Sequence, residues 1–119
     1  MKSDSIVYEK SFKFAKRIIK LYKFLVYEKK ERVISHQIMK SGTSIGANIS
    51  EATYAQSKKD FVNKMSVALK EANETKYWIE LLEGEYISKK EADSLLGDVM
   101  EILKMLISIV KNSKETENY

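Results

Sequence analysis

The sequence predicts an all-α protein, an antiparallel up-down-up-down four-helix bundle. Apolar residues recur at intervals of three and four through four long segments, which is the period of a helix. The 119 residues contain no Pro and only 4 Gly, so the closely spaced turn residues of a sheet protein are missing. The breaks between segments are short, and short connections make neighbouring helices antiparallel. One domain is expected over residues 1–119, with helices at about 5–27, 32–55, 58–83 and 89–112.

The first helix carries a stripe of Tyr8, Phe12, Ala15, Ile18, Ile19, Tyr22, Leu25 and Val26 at near-heptad spacing. Its other faces hold Lys10, Lys13, Lys16, Arg17, Lys20 and Lys23. Phe14 falls off the stripe and is the aromatic best placed to touch a partner. The break to the second helix, EKKER, has neither Gly nor Pro.

The second helix holds the most informative stretch, KSGTSIGANISEATYA from Lys40 to Ala55. Its apolar face is Ile34, Ile38, Ile45, Ile49 and Ala52. Gly42 and Gly46 interrupt it, each costing about 1 kcal/mol against Ala in a helix interior. Such glycines are retained where something approaches the backbone closely. Ser41, Ser44, Asn48 and Glu51 fall in one arc beside the apolar face.

The third helix opens at Ser57-Lys58-Lys59-Asp60, a weak capping box. It continues through Phe61, Met65, Ala68, Ala72, Thr75, Ile79 and Leu82, and Gly84 is placed to end it in a left-handed conformation. Glu71, Glu74 and Trp78 flank its apolar face. The hydroxyls of Ser41 and Ser44 and the Asn48 amide are expected to serve these carboxylates across a polar seam that fixes register; a polar binding pocket is the sharper alternative.

The fourth helix starts at the capping box Ser88-Lys89-Lys90-Glu91. Its apolar residues cover about half the wheel, more than the roughly 100° stripe of a helix packed on one side. The surplus is expected to be covered by another subunit. The polar residues 111–119 are expected to fray.

Charge is uneven. Residues 1–40 hold 11 Lys and Arg against 4 acids, a net +7, while residues 41–119 hold 10 against 13, a net −3. Such segregation suits a phosphate-rich or acidic partner, although a solvated helix face explains it too. Lys10, Lys13, Lys16, Arg17, Lys20, Lys23, Lys29, Lys30, Arg32 and Lys40 are the candidate nucleic-acid contacts. The N-terminus reads as lacking a signal peptide and no stretch approaches a membrane span, so a soluble cytoplasmic protein is expected.

Catalytic constellations are scarce. Zero Cys removes disulfides, thiolate metal sites and a cysteine nucleophile. His36, the one histidine, projects opposite the apolar stripe. There is no HExxH or P-loop, and GTSIG lies within a helix rather than after a strand. Glu51, Glu71 and Glu74 lack the Glu-x-x-His partners of a di-metal bundle. No enzyme, metal or cofactor is expected.

SGTSIGANISEA (residues 41–52), followed by AQSKKDFVNKMSVALKEANETKYWIELL (residues 55–82), resembles the bacterial four helix bundle protein family, also called the 23S rRNA intervening-sequence protein family. The positions that carry the resemblance are Ser41, Ser44, Ile45, Gly46, Asn48, Glu51, Ala52, Glu71, Glu74 and Trp78, and it extends over nearly the whole chain. It implies a four-helix bundle, a ring-like homopentamer and no catalytic residue. It further implies kinship with the accessory variability determinant of diversity-generating retroelements, which binds a reverse transcriptase and nucleic acid. Two roles follow as expectations: an oligomer that binds RNA or DNA without base specificity, or an adaptor for a protein such as a reverse transcriptase.

Overall fold

A computed structural model describes residues 2–116. The helices are α1 (Lys2–Lys23), α2 (Ile34–Thr53), α3 (Lys58–Leu82) and α4 (Lys89–Thr116), with a π-helical turn, Phe24–Glu28, continuing α1. They form a four-helix bundle of 49 × 22 × 20 Å. Contacts between neighbours run in opposite sequence order. Ser11 meets Gly46 and Ile18 meets Gly42, Ser41 meets Thr75 and Glu51 meets Lys64. Lys10 pairs with Glu101 and Arg17 with Asp98. Each pairing is therefore antiparallel, as the short connections require.

The core is built from positions three and four apart. In α4 these are Ala92, Leu95, Val99, Ile102, Leu106 and Ile109, all buried. In α3 they are Val62, Met65, Ala68, Ala72, Thr75, Ile79 and Leu82. Alternation of three and four keeps one seam facing the bundle axis.

The seam of α1 differs from the one its apolar content predicts. The buried positions are Val7, Ser11, Phe14, Ile18, Leu21 and Leu25, one place earlier than the aromatic stripe at most positions. Phe14 is 1% exposed and belongs to the core, so it is not a partner contact. Tyr8 and Phe12 are exposed instead, with ring centroids 6.1 Å apart. The reason lies in α2. Gly42 and Gly46 are buried, and the α1 residues against them must fit bare backbone. A Cβ on Gly42 would stand 2.9 Å from both Ile18 Cγ1 and Cγ2, and one on Gly46 would stand 3.0 Å from Ser11 Oγ. A small hydroxyl at position 11 and a branched side chain at 18 meet that surface, and the aromatic stripe is left turned away from the core.

The connections follow local chemistry. Lys30 takes a left-handed backbone (φ 57°), reversing the chain after the π turn. Glu31, buried, then caps α2: its carboxylate accepts from the backbone N–H groups of Val33, Ile34 and Ser35 at 3.0, 2.7 and 2.7 Å. It satisfies three otherwise orphaned donors with a charge that the helix dipole favours. Ser57 Oγ accepts from Asp60 N–H at 3.0 Å, while Asp60 reaches back to Gln56 N–H at 3.3 Å. Gly84 adopts φ 87° after α3, and Ser88 Oγ accepts from Glu91 N–H at 3.1 Å. The helix α4 continues to Thr116, beyond the predicted end; the remainder of the expected tail, residues 117–119, lies outside the described residues.

Gly42→Ala sets a helix-propensity gain of about 1 kcal/mol against overpacking of Ile18, which costs typically 1–3 kcal/mol. A net loss of up to roughly 2 kcal/mol in urea unfolding is expected for this variant. A smaller change is expected for Gly46→Ala, because its Cβ would crowd one atom, Ser11 Oγ at 3.0 Å, where that of Gly42→Ala crowds two at 2.9 Å.

Candidate nucleic-acid interface

The ten candidate basic residues do not form one patch. Lys10 Nζ lies 3.1 Å from Glu101. Arg17 Nη1 donates to Asp98 at 2.7 Å, and its Nη2 donates to Ser94 Oγ at 3.0 Å and lies 3.6 Å from Glu91. These two residues bind α1 to α4. Lys13, Lys16, Lys20 and Lys23 are exposed, and their spacing of three, four and three places them along one outer ridge of α1. None of the four forms an ion pair among the described residues. Lys16 Nζ lies 5.0 Å from the centroid of the Phe12 ring. Lys29, Lys30 and Arg32 are exposed at the end of that ridge; Lys30 Nζ donates to the Tyr27 carbonyl at 2.9 Å. Lys40 is on α2, apart from the ridge.

The polar seam between α2 and α3 exists, with different pairings from those expected. The Thr75 hydroxyl is 2.8 Å from Ser41 Oγ and 2.8 Å from the Glu71 carbonyl. Each hydroxyl has one proton; both are satisfied if Thr75 donates to the Glu71 carbonyl and Ser41 donates to Thr75. Ser41 and Thr75 are buried, so the pair is a dry cross-helix tie. Ser44 donates to the Lys40 carbonyl at 2.6 Å and Asn48 to the Ser44 carbonyl at 2.8 Å, instead of reaching α3. Short side chains find their own helix's carbonyls one turn back more readily than a neighbour.

Glu71 joins the seam through its backbone carbonyl, and Glu74 and Glu51 are served by other groups. Trp78 Nε1 donates to Glu74 at 3.2 Å, and Lys64 Nζ lies 2.9 Å from Glu51. The hydrogen bond that Lys64 donates to Glu51, reinforced by the carboxylate's charge, raises the Lys64 pKa above the ordinary ammonium value. Asp93 acts likewise on Lys89. Both pairs are at the surface and contribute little to stability.

Sequence reasoning placed Thr75 on the core face and missed its role as a cross-helix partner. A hydroxyl among apolar neighbours at a core position was the available signal. The π turn that sets Phe24's position carries no mark in the sequence. His36 is exposed, as its place on the wheel predicts. Among the described residues no group of three or more His, Cys, Asp or Glu is placed to hold a metal, and no helix is long and apolar enough to cross a membrane.

A four-helix bundle with a glycine-lined α1–α2 contact, a hydroxyl tie from α2 to α3 and a lysine ridge on α1 defines the class. Within it, this chain belongs to the 23S rRNA-intervening sequence protein family, whose profile matches residues 3–108. A crystal structure of a Bacteroides thetaiotaomicron protein of unknown function, from the S23 ribosomal protein family, shares 59% of its sequence with this chain. The match has a TM-score of 0.89 and covers 92% of this chain and 98% of that one. No curated protein matches this chain.

Removing one partner of a buried hydrogen bond costs about 1–3 kcal/mol. Thr75→Val is expected to lower unfolding stability by about 1–2 kcal/mol, and Ser41→Ala added to it is expected to cost little more. Calorimetry of the three variants checks this.

Proposed function

We propose that the chain is a non-catalytic, oligomeric protein that binds nucleic acid through phosphate contacts and without reading bases. The observation that carries this reading is the ridge of Lys13, Lys16, Lys20 and Lys23, exposed and without carboxylate partners among the described residues. Cations left unpaired on one face raise the local concentration of a polyanion. Phosphate contacts of this kind position a strand and carry no sequence information.

Assembly is supported by apolar surface that a single chain leaves open. On α4, Met100 and Ile107 are 43% and 52% exposed, with Leu96, Leu103 and Val110 half-buried beside them. Together they form a second seam at spacings of three and four, the pattern that buries against another helix. Gly97 lies within this stretch of α4, and a Cβ added there meets nothing within 4 Å. A glycine in an open helix costs about 1 kcal/mol against Ala, and a closely approaching second chain accounts for it. The family resemblance implies a ring of five; five copies at +4 carry +20. Repetition of the ridge around such a ring multiplies the phosphate contacts available to one strand. We place this particle in the cytoplasm.

A second reading makes the chain an adaptor for a protein such as a reverse transcriptase. The exposed Tyr8–Phe12 pair favours it, since aromatic residues concentrate in protein interfaces. It predicts capture of the protein partner after nuclease treatment and weak binding of isolated nucleic acid.

Fluorescence anisotropy of a labelled RNA against salt concentration tests the leading reading. Each neutralised phosphate adds about −0.7 to −0.9 to the slope of log K on log salt. The expected outcome is binding at low salt that is lost steeply as salt rises, with the slope reduced by roughly 3 in the quadruple Lys13, Lys16, Lys20, Lys23→Gln variant. Absence of binding at low salt would overturn the reading.

A further inference from the structure

Where the π turn meets the α3–α4 connection, an open groove of about 620 Å³ is lined by Arg17, Lys20, Phe24, Lys29, Tyr86 and Glu91 among others. That volume lies within the usual range for small-molecule sites, about 300–1,000 Å³. We propose that this groove receives one unpaired nucleotide of a bound single strand, with its base against Phe24 and its phosphate between Lys20 and Lys29. This rests on the nucleic-acid reading above and gives it a specific site.

Four observations converge here. Phe24 is 39% exposed although its neighbour Leu25 is fully buried, so an aromatic face is offered to the groove's solvent. Lys29 Nζ stands over that ring, 5.7 Å from its centroid, so a base stacking on this face moves the ammonium aside toward the strand's phosphate. Lys20 and Lys29 have no ion pair among the described residues, whereas Arg17 is held by Asp98 at 2.7 Å and forms a fixed wall. Finally, Phe24 opens the π-helical turn and Lys29 caps it, the Lys29 N–H donating to the Phe24 carbonyl at 3.2 Å. Single π turns are rare and occur often at functional sites. Here the turn brings the ring and the cation to the same lip.

The chemistry selects the ligand. Two cations without an ion pair among the described residues, against the single carboxylate of Glu91, favour an anion, and a phosphate is the anion that nucleic acid repeats at each residue. Phe24, with Tyr86 half-buried across the groove and packed on the core, supplies the flat surface on which an exposed base stacks. In a duplex the base faces are already stacked, so the groove distinguishes single strands from duplexes where the ridge does not.

The test uses the full chain, a labelled single-stranded RNA and a blunt RNA duplex of equal charge. Phe24→Leu is expected to weaken single-strand binding by about tenfold or more, in line with the measured worth of base–aromatic stacking, and to change duplex binding less than about twofold. Lys29→Gln is expected to weaken the single strand more than the duplex, while Lys13→Gln, on the ridge, weakens both alike. Because Phe24 is partly exposed, circular dichroism is expected to show the variant folded. As a measurement on the unaltered protein, a 2-aminopurine base in the strand is expected to be quenched on binding and to recover in Phe24→Leu. Equal loss of strand and duplex on Phe24→Leu, or no loss of either, overturns the groove while leaving the ridge reading standing. Displacement of the strand by polyglutamate of equal charge, with the same Phe24 dependence, reassigns the groove to an acidic peptide and overturns the nucleotide. Loss of ridge binding itself, seen as no duplex binding by the unaltered protein, overturns the reading beneath both.

Discussion

The bare backbone of α2 at Gly42 and Gly46 sets how α1 lies, and the surfaces of the bundle follow from it. Ile18 and Ser11 occupy the space that Cβ atoms at those glycines would take. This contact fixes the rotation of α1 about its axis. With Ile18 and Ser11 inward, Phe14 and Leu21 are buried too, and helical geometry then turns Lys13, Lys16, Lys20 and Lys23 outward. A rotation of one residue position would bury the aromatic stripe and move the lysines with it. The ion pairs of Lys10 and Arg17 with α4 agree with this rotation, but half-exposed pairs of that kind are each worth only about 0.2–1 kcal/mol. Packing at the glycines is the stronger constraint.

The tie from Ser41 to Thr75 has a related role on the opposite flank of α2. A buried hydroxyl pair is satisfied in one register and left unsatisfied in others, so its value lies in the penalty on alternatives. Glycines on one flank and a hydroxyl on the other hold α2 to two neighbours by different means. Ser41, Gly42 and Gly46 all lie within residues 41–52, one of the two stretches that carry the family resemblance.

The fold class, the four helices and the glycine contact were legible in the sequence because each has a local cause. Periodicity marks the helices, Ser57 and Ser88 mark two starts, and Gly84 marks one end. The rotation of α1 was not legible. Two apolar stripes run side by side on that helix, and the one with more aromatic residues looks like the core. Ser11 disguises the correct stripe, since its smallness matters only once Gly46 is known to face it. The donor to Glu74 was misjudged because Ser44 and Asn48 have carbonyls of their own helix within reach. The Phe24–Lys29 lip depends on a π turn, which no residue type specifies. Of the ten candidate cations, sequence alone did not separate Lys10 and Arg17, committed to α4, from the four on the outer ridge.

A double-mutant cycle on unfolding free energy with Gly42→Ala and Ile18→Ala tests the controlling contact most directly. Ile18→Ala removes Cγ1 and Cγ2, the two atoms closest to a new Cβ at position 42. If close approach governs the packing of α1, the double variant loses less stability than the two single losses combined, by about 1 kcal/mol or more. Additivity within about 0.3 kcal/mol would mean that the two positions are energetically independent, and would contradict the account of how α1 and its lysine ridge are held.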